Sequence, residues 1–513
     1  MNNHQPSNEN DQRFDRVCDQ ARRAMVLQTT ADTLEWDERT GMPVGAGSYR
    51  ATQVSTLRGM VHELRTAESY GDDLCQLVEA FSDDDPHSDS AATVRELHRD
   101  WSRDRKLPTD LVRRTSQATI GGQQMWDAAR KADDFSMFRD SLSEVVDLKR
   151  EIGQRWAADS DRSPYEALLD EYEPNASVAS LQTMFDSLRV PLVDLIAKIK
   201  DAPRQPDYSV LQRDFPIDAQ RKFSHRIASL VGFDFDRGRL DETSHPFCTT
   251  LGPSDIRILT RFESDWLPSG IFGTLHEAGH GLYEQGMREE WFGLPPGSYV
   301  SLGMHESQSR LWENQVGRSH AFWRHMYGET QTTFSPQLDD VSIDEFHFAV
   351  NTIRPSLIRV EADEATYNLH IIIRFDLERQ MIEGSLSIDD LPEAWNSRYE
   401  SDLGIRPPSA ADGVLQDVHW SAGLIGYFPT YTLGNLASAQ LFDAAAAELG
   451  DLDEAFARGE FAPLLDWLVQ NVHRHGRCFS GSELVRQATG SELSADALVG
   501  YLQRKLLPLY GRQ

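Results

Sequence analysis

The stretch His276-Glu277-Ala278-Gly279-His280 is the most informative part of the sequence. Residues four positions apart lie on one face of an α-helix, so the two imidazoles can reach one ion. Glu277 lies between them and is placed to act as general base toward a water molecule at that ion. The pattern therefore predicts a helix that carries a hydrolytic metal site. The alternative is a helix with two unrelated surface histidines.

A third metal ligand has to come from elsewhere, because a catalytic zinc site usually has three protein ligands and one open position. Gly286 stands where an extended metzincin motif has its third histidine, which favours a carboxylate on a later segment. The candidates are Glu284, Glu289, Glu290, Glu306 and Glu313. Glu306 opens a new helical run, and an antiparallel return would bring it opposite the two histidines. We favour Glu306, with Glu313 as the second choice and better suited to a supporting role.

Hydrophobic periodicity predicts a mainly α-helical chain. Apolar residues recur at helical spacing over residues 142–152 and 372–382, and Gly384 is a suitable stop for the second run. An Ala- and Leu-rich stretch over residues 440–449 also favours helix. Residues 255–262 instead alternate apolar and polar side chains, which indicates a half-buried strand in a small sheet just before the metal motif.

Composition limits the classes of partner. The 513 residues carry 51 basic and 81 acidic side chains, a net charge of −30, which disfavours binding to nucleic acid and to anionic lipid. With 40% hydrophobic residues and no internal repeat, we expect residues 1–513 to form one catalytic unit, with two lobes around a cleft as an option. Its metal-site segment runs from about residue 240 to 435.

The sequence also predicts a cytoplasmic protein. The polar start MNNHQPSNENDQ lacks the apolar core of a signal peptide, and no apolar run of membrane-spanning length is present. The four cysteines are far apart and form no CxxC pair, which fits a reducing compartment and argues against a thiolate zinc site.

Several separate motifs together resemble the carboxypeptidase Taq family of thermostable metallocarboxypeptidases. Residues 255–260 (DIRILT) approximate that family's DxRxT motif, with Thr260 one place late. The other matching segments are residues 34–43 (LEWDERTGMP), 245–247 (HPF), 276–280 (HEAGH), 305–308 (HESQ), 358–363 (IRVEAD) and 413–420 (GVLQDVHW). The matches run in order through most of the chain.

This resemblance implies a mainly α-helical, neurolysin-like fold with a deep central cleft and a small sheet beside the metal helix. It also implies a homodimer, a zinc ion that cobalt can replace, and release of single C-terminal residues from peptides with broad specificity. Carried over by motif, His276, His280 and Glu306 are the metal ligands and Glu277 is the catalytic acid/base. The resemblance thus supports the choice of Glu306.

Further site residues follow from what the reaction needs. Donors to the oxyanion that develops on the scissile carbonyl are expected from His419, Tyr427 and Tyr431, and Asp417 is placed to orient His419. A planar arginine fork suits the free C-terminal carboxylate of the substrate. The arginine candidates are Arg359, then Arg354 and Arg257, while His245 and Asp255 are candidate substrate contacts beside the metal helix. The alternative for Arg359 is an internal ion pair with Glu361 or Asp363.

Two other functions remain open at this point. An oligopeptidase or dipeptidyl carboxypeptidase of similar fold would use the same metal chemistry and differ only in how the cleft is closed. A non-catalytic metal-stabilised scaffold is the third reading, but Glu277 would then have no purpose.

Overall fold

The computed structural model describes residues 9–512 and confirms the predicted mainly α-helical fold. The first eight residues, which include most of the segment that lacks a signal-peptide pattern, lie outside the described residues. In chain order the helices are α1 (Glu9–Thr40), α2 (Gly47–Thr66), α3 (Glu68–Ala80), α4 (Asp89–Asp104), α5 (Thr109–Ala132), α6 (Ser136–Ala157), α7 (Pro164–Leu169), α8 (Val178–Lys200), α9 (Ile217–Leu230), α10 (Leu267–Gln285), α11 (Leu302–Arg310), α12 (His320–Thr333), α13 (Ile343–Val350), α14 (Tyr367–Glu383), α15 (Leu391–Leu403), α16 (Pro429–Leu449), α17 (Leu452–Ala457), α18 (Ala462–Asn471), α19 (Gly481–Thr489) and α20 (Ala495–Leu509). Within residues 9–512 no helix combines the length and the apolar character that a membrane span requires.

The helices predicted from periodicity are present. Residues 142–152 lie inside α6, and residues 372–382 lie inside α14. Gly384 ends α14 in the left-handed conformation at φ +79°, as the predicted stop requires.

A three-stranded sheet precedes the metal motif, in agreement with the strand signal. The strands are β1 (Gly238–Glu242), β2 (Phe247–Gly252) and β3 (Asp255–Thr260). Central β3 pairs parallel with β1 and antiparallel with β2. The side chain of Ile258 in β3 lies 3.0 Å from where a Cβ on Gly281 would be, so the missing side chain lets α10 rest directly on the sheet.

Two large hydrophobic cores fill the molecule. One is built mainly from α6, α8, α14, α15 and α20, and the other from α9, α10, α12, α13 and α18. Helix α16 contributes Leu436 to the first core and Leu441 to the second, with both side chains fully buried. Since α16 also packs against α11, it ties both cores to the helix that carries Glu306.

Candidate active site

Helices α10 and α11 bring His276, His280 and Glu306 together. Glu306 Oε2 lies 3.6 Å from His276 Nε2 and 3.5 Å from His280 Nε2. One donor atom from each side chain lies within 4.8 Å of the other two. The returning helix predicted after the metal motif is therefore present, and it places Glu306 rather than Glu284, Glu289 or Glu290 beside the histidines.

Two glycines allow the close helix packing behind this cluster. A Cβ on Gly279 would lie 2.5 Å from the carbonyl oxygen of Gln308, so α10 and α11 touch backbone to backbone there. A Cβ on Gly434 of α16 would lie 2.6 Å from Glu306 Cγ. Glycine at these positions brings α11 close enough to place Glu306 between the two histidines.

A second group of charged side chains supports the cluster. Glu313 Oε2 lies 3.0 Å from His276 Nδ1, which fixes the ring so that Nε2 faces Glu306. Arg310 donates from Nε to Glu306 Oε1 at 2.6 Å and from Nη1 to Glu313 Oε2 at 3.2 Å. A π-helical turn over Leu311–Val316 carries Glu313. Turns of this kind are rare and often occur at functional sites.

The surrounding charges set the ionisation of the cluster. Burial alone raises the pKa of Glu306, but the Arg310 guanidinium, the His276 imidazole and a hydrogen bond with His280 hold it well below its usual range. Burial likewise raises the pKa of Glu313, and Arg310 outweighs this effect and brings the pKa to about 2. Burial lowers the pKa of His280 to about 3. At neutral pH the cluster thus presents ionised carboxylates and a neutral His280, which are the forms that bind metals.

Glu277 has the environment of a general base. Its side chain is buried, and Oε2 has no hydrogen-bond partner within residues 9–512. Burial raises the pKa of this carboxyl to about 7, close to the optimum for proton transfer at neutral pH. An unpaired buried carboxylate oxygen beside two histidines is costly unless another group completes the site.

Comparison with known proteins identifies the family of this chain. The family model described as Carboxypeptidase Taq (M32) metallopeptidase matches residues 16–506. The chain belongs to the carboxypeptidase Taq metallopeptidase family. It is a metallocarboxypeptidase, which acts on peptides with a divalent metal, so the predicted family and enzyme class are confirmed.

Relatives of this metallocarboxypeptidase cover almost the whole chain. Thermostable carboxypeptidase 1 of Thermus thermophilus is 44% identical over 96% of this chain and 97% of its own. Carboxypeptidase 1 of Bacillus subtilis is 36% identical over 93% of this chain and 94% of its own. The crystal structure of the M32 carboxypeptidase from Deinococcus radiodurans matches with a TM-score of 0.93 and 40% identity over 98% of this chain and 100% of that one.

In this carboxypeptidase, the three predicted oxyanion donors lie together. His419 Nε2 is 3.3 Å from the Tyr431 hydroxyl, and the ring centroids of His419 and Tyr427 are 5.5 Å apart. Tyr367 adds a third ring, 6.0 Å from Tyr431, to what we call the tyrosine cluster (Tyr367, Tyr427 and Tyr431). The Arg310 guanidinium lies 4.4 Å from the centre of the Tyr367 ring and so connects this cluster to Glu306.

The environment of Asp417 differs from the predicted one. Its Oδ1 is 3.8 Å from His419 Nδ1, too far for the expected orienting hydrogen bond. Asp417 instead accepts hydrogen bonds from Arg359 at 2.8 and 2.9 Å and from buried Arg374 at 2.6 Å. The alternative ion pair of Arg359 exists, but with Asp417 rather than Glu361 or Asp363. Asp363 is already engaged, because it accepts hydrogen bonds from the backbone around it.

The remaining predicted substrate contacts lie apart from this group. Arg257 forms a two-bond pair with Asp255, and its guanidinium lies 4.0 Å from the centre of the Trp36 ring. Arg354 is exposed and lies over the ring of Tyr208, and His245 is exposed in the turn between β1 and β2. Within residues 9–512 none of these four predicted contacts hydrogen-bonds to the metal-binding candidates, and their roles stay predictions.

Sequence reasoning missed Arg310 and Tyr367. Arg310 follows Glu306 by four residues on α11, a spacing that predicts an ion pair along one helix face. That signal was available once Glu306 was chosen. Tyr367 has no comparable signal of spacing along one helix, because its hydroxyl is reached by Arg359 in the segment before α14 and its ring by Arg310 of α11.

Proposed function

We propose that the protein is a zinc-dependent carboxypeptidase that releases single C-terminal residues from peptides with broad specificity. In this proposal His276, His280 and Glu306 hold the metal and Glu277 is the general base. The convergence of three donor atoms within 4.8 Å, next to an unpaired buried carboxylate, is the observation that supports it best.

The donor set suits zinc, with cobalt as an expected substitute. Two imidazoles and one carboxylate form the His₂Glu set of catalytic zinc sites, with bonds of about 2.0–2.1 Å. Tetrahedral bonds of that length separate the ligand atoms by about 3.3 Å. The separations of 3.5 and 3.6 Å at Glu306 Oε2 are close to this value. When bound, zinc would supply Lewis-acid polarisation of the scissile carbonyl and lower the pKa of a water.

The proton transfer falls to Glu277. Its carboxylate would remove a proton from the attacking water as the water oxygen bonds to the scissile carbonyl carbon. The same carboxyl would then give the proton to the leaving nitrogen as the C–N bond breaks. Water is consumed, and the products are the shortened peptide and one free amino acid.

Charge that develops on the carbonyl oxygen needs hydrogen-bond donors. Burial raises the pKa of Tyr427 to about 12 and that of Tyr431 well above its ordinary value, so both hydroxyls keep their protons at neutral pH. Burial, aided by the charge of Arg359, lowers the pKa of His419 to about 3, which leaves a neutral ring with one N–H. We propose these three groups as the donors.

The substrate carboxylate is best matched by Arg359. Two guanidinium groups, Arg359 and Arg374, share the single carboxylate of Asp417, which leaves one positive charge in excess. Arg359 Nη1 points to the hydroxyl of Tyr367 and so toward the tyrosine cluster. Arg257, Arg354, His245 and Asp255 remain further predicted substrate contacts, and the homodimer and the cytoplasmic location remain predictions from the sequence.

A timed digest of one peptide, followed by mass spectrometry, tests the activity. We expect stepwise loss of single C-terminal residues, whereas dipeptide loss or internal cuts would instead identify the oligopeptidase or dipeptidyl carboxypeptidase alternative.

Substitutions test the proposed base and the third ligand. Glu277→Gln should keep zinc and lose turnover. Glu306→Ala should lose zinc, while the matched control Glu289→Ala should keep it, because Glu289 pairs with Arg237 at the surface.

A further inference from the structure

Tyr299 is a large side chain held in a fixed position close to the active site. The backbone on both sides is anchored: Ser298 N donates to the carbonyl of Pro295, and Val300 N is 3.3 Å from the Tyr283 hydroxyl. Val300 is buried, whereas 41% of the Tyr299 surface is exposed. The hydroxyl of Tyr299 has no hydrogen-bond partner within residues 9–512.

Tyr299 is connected to the metal cluster by a series of ring contacts. Its ring meets the His305 imidazole at 4.9 Å between centroids and an interplanar angle of 68°. His305 in turn stacks on His280 at 4.4 Å, and its Nε2 lies 2.9 Å from Glu284. Tyr299 is thus two ring contacts from a proposed metal ligand.

A second chain of contacts leads from the metal cluster to the proposed carboxylate site, and it starts at Glu306 rather than at His280. There, Arg310 connects Glu306 to Tyr367, and Tyr367 accepts a hydrogen bond from Arg359 at 3.0 Å. The proposed function puts the terminal carboxylate at Arg359 and the scissile carbonyl at the metal, which leaves the His280 side of the cluster for the N-terminal part of the peptide. The residue before the scissile bond has its side chain on the carbon attached to the scissile carbonyl, so a long side chain directed past His280 is the group that approaches the Tyr299 ring.

We infer that Tyr299 forms one wall of the subsite for P1, the residue immediately before the scissile bond, and favours aromatic and large aliphatic side chains there. The inference rests on the proposed function, since that function fixes the direction of the peptide. An aromatic ring held beforehand on an anchored segment offers apolar area at a small entropic cost. Glycine at P1 would gain nothing from it.

The test compares two substrates, acyl-Phe-Ala and acyl-Gly-Ala, on the zinc-loaded enzyme. We expect Tyr299→Ala to lower kcat/KM about three- to tenfold for the Phe substrate and less than about twofold for the Gly substrate. Tyr299→Phe should stay within about twofold of wild type for both, because the ring is kept. Tyr49→Ala is the matched control, since Tyr49 is a 70% exposed tyrosine on α2.

Other outcomes would overturn the inference. An equal loss for both substrates would show that Tyr299 acts on catalysis or metal binding, and an effect only when Phe is moved to acyl-Phe-Gly-Ala would place it at another subsite. If Tyr299→Ala folds poorly, Tyr299→Leu, which keeps apolar bulk without the ring, must show the same selective loss. Failure of the wild type to release free alanine refutes the proposed function itself, whereas alanine release with an unchanged Phe/Gly ratio refutes only the role of Tyr299.

Discussion

The contact between Gly434 and Glu306 allows a sharp test of how the helices set the metal site. Replacing Gly434 by Ala would put a methyl carbon 2.6 Å from Glu306 Cγ and 2.7 Å from its Cβ. Carbon atoms in good contact are about 3.5–4.0 Å apart, so α11 and α16 must separate by about 1 Å. The movement falls directly on the side chain that we propose as the third ligand.

The expected changes in stability and in function differ greatly in size. Ala in place of Gly in a helix interior stabilises by about 1 kcal/mol, and overpacking costs about 1–3 kcal/mol. The net loss in free energy of unfolding is therefore about 0–2 kcal/mol, which the fold should survive. Metal ligands tolerate only about 0.2 Å of displacement. We expect zinc binding about 10- to 100-fold weaker and kcat about 100-fold lower.

Three measurements separate these effects. Urea unfolding of the metal-free protein gives stability, competition with a chromophoric chelator gives zinc affinity, and release of alanine from a blocked dipeptide gives kcat. The control is Gly328→Ala in α12, where nothing lies within 4 Å of the added carbon. This control should gain up to about 1 kcal/mol and keep wild-type zinc binding and activity. Wild-type zinc affinity in Gly434→Ala would refute the argument that glycine spacing positions Glu306.

Three further outcomes are expected. Glu313→Gln should weaken zinc about 10- to 100-fold by chelator competition, because the carboxylate that accepts from His276 is lost; unchanged affinity would exclude that supporting role. Burial raises the pKa of Glu378 to about 7 in the native state, above its value in the unfolded chain. Between about pH 4.5 and 7 the native protein therefore holds a proton that the unfolded chain has released. The free energy of unfolding should fall by about 3 kcal/mol as pH rises through that window. Glu378→Gln should remove that part of the pH dependence in urea unfolding at pH 5 and 8, and an unaltered difference between the two pH values would contradict it. For acidic peptides, KM should fall as salt rises from about 0.01 to about 0.15 M, since screening weakens repulsion by the −30 chain; a flat response would show that this charge does not reach the site.

Local sequence patterns predicted the structure correctly wherever the relevant interaction lies within one helix or one strand. The spacing of His276 and His280 places both imidazoles on one face of α10, and the alternation from Asp255 marks β3. Glu306 was predictable because α11, the next α-helix after the metal motif, was expected to run back along α10 and so to place its carboxylate opposite the two histidines. The motifs that resemble the carboxypeptidase family occur through most of the chain, so they predicted the overall fold as well as these local elements.

Contacts between distant segments were not predictable in the same way. Asp417 was expected to serve His419, its neighbour in sequence, but two arginines from α14 and the segment before it reach the carboxylate first. A hydrogen bond from a charged guanidinium stabilises a buried carboxylate more than one from a neutral imidazole. Asp417 therefore pairs with the two arginines rather than with His419, its neighbour in sequence. Which arginine meets which carboxylate depends on packing, and single-sequence patterns carry no information on that.

The chain is strongly acidic as a whole, but the charged groups around the proposed metal and carboxylate sites are balanced or carry an excess of positive charge. Around the metal cluster, Glu306 and Glu313 are matched by Arg310 and Arg318, so these four groups sum to zero charge. A divalent metal held there would add positive charge, which the carboxylate of Glu277, our proposed general base, would partly offset. At the proposed carboxylate site, two guanidinium groups share Asp417 and again leave an excess of positive charge. A peptide approaching this chain therefore meets long-range repulsion of its terminal carboxylate, which salt weakens, and then short-range attraction in a buried site, which salt barely affects. The distribution favours peptides whose only negative charge is the one at their C-terminus.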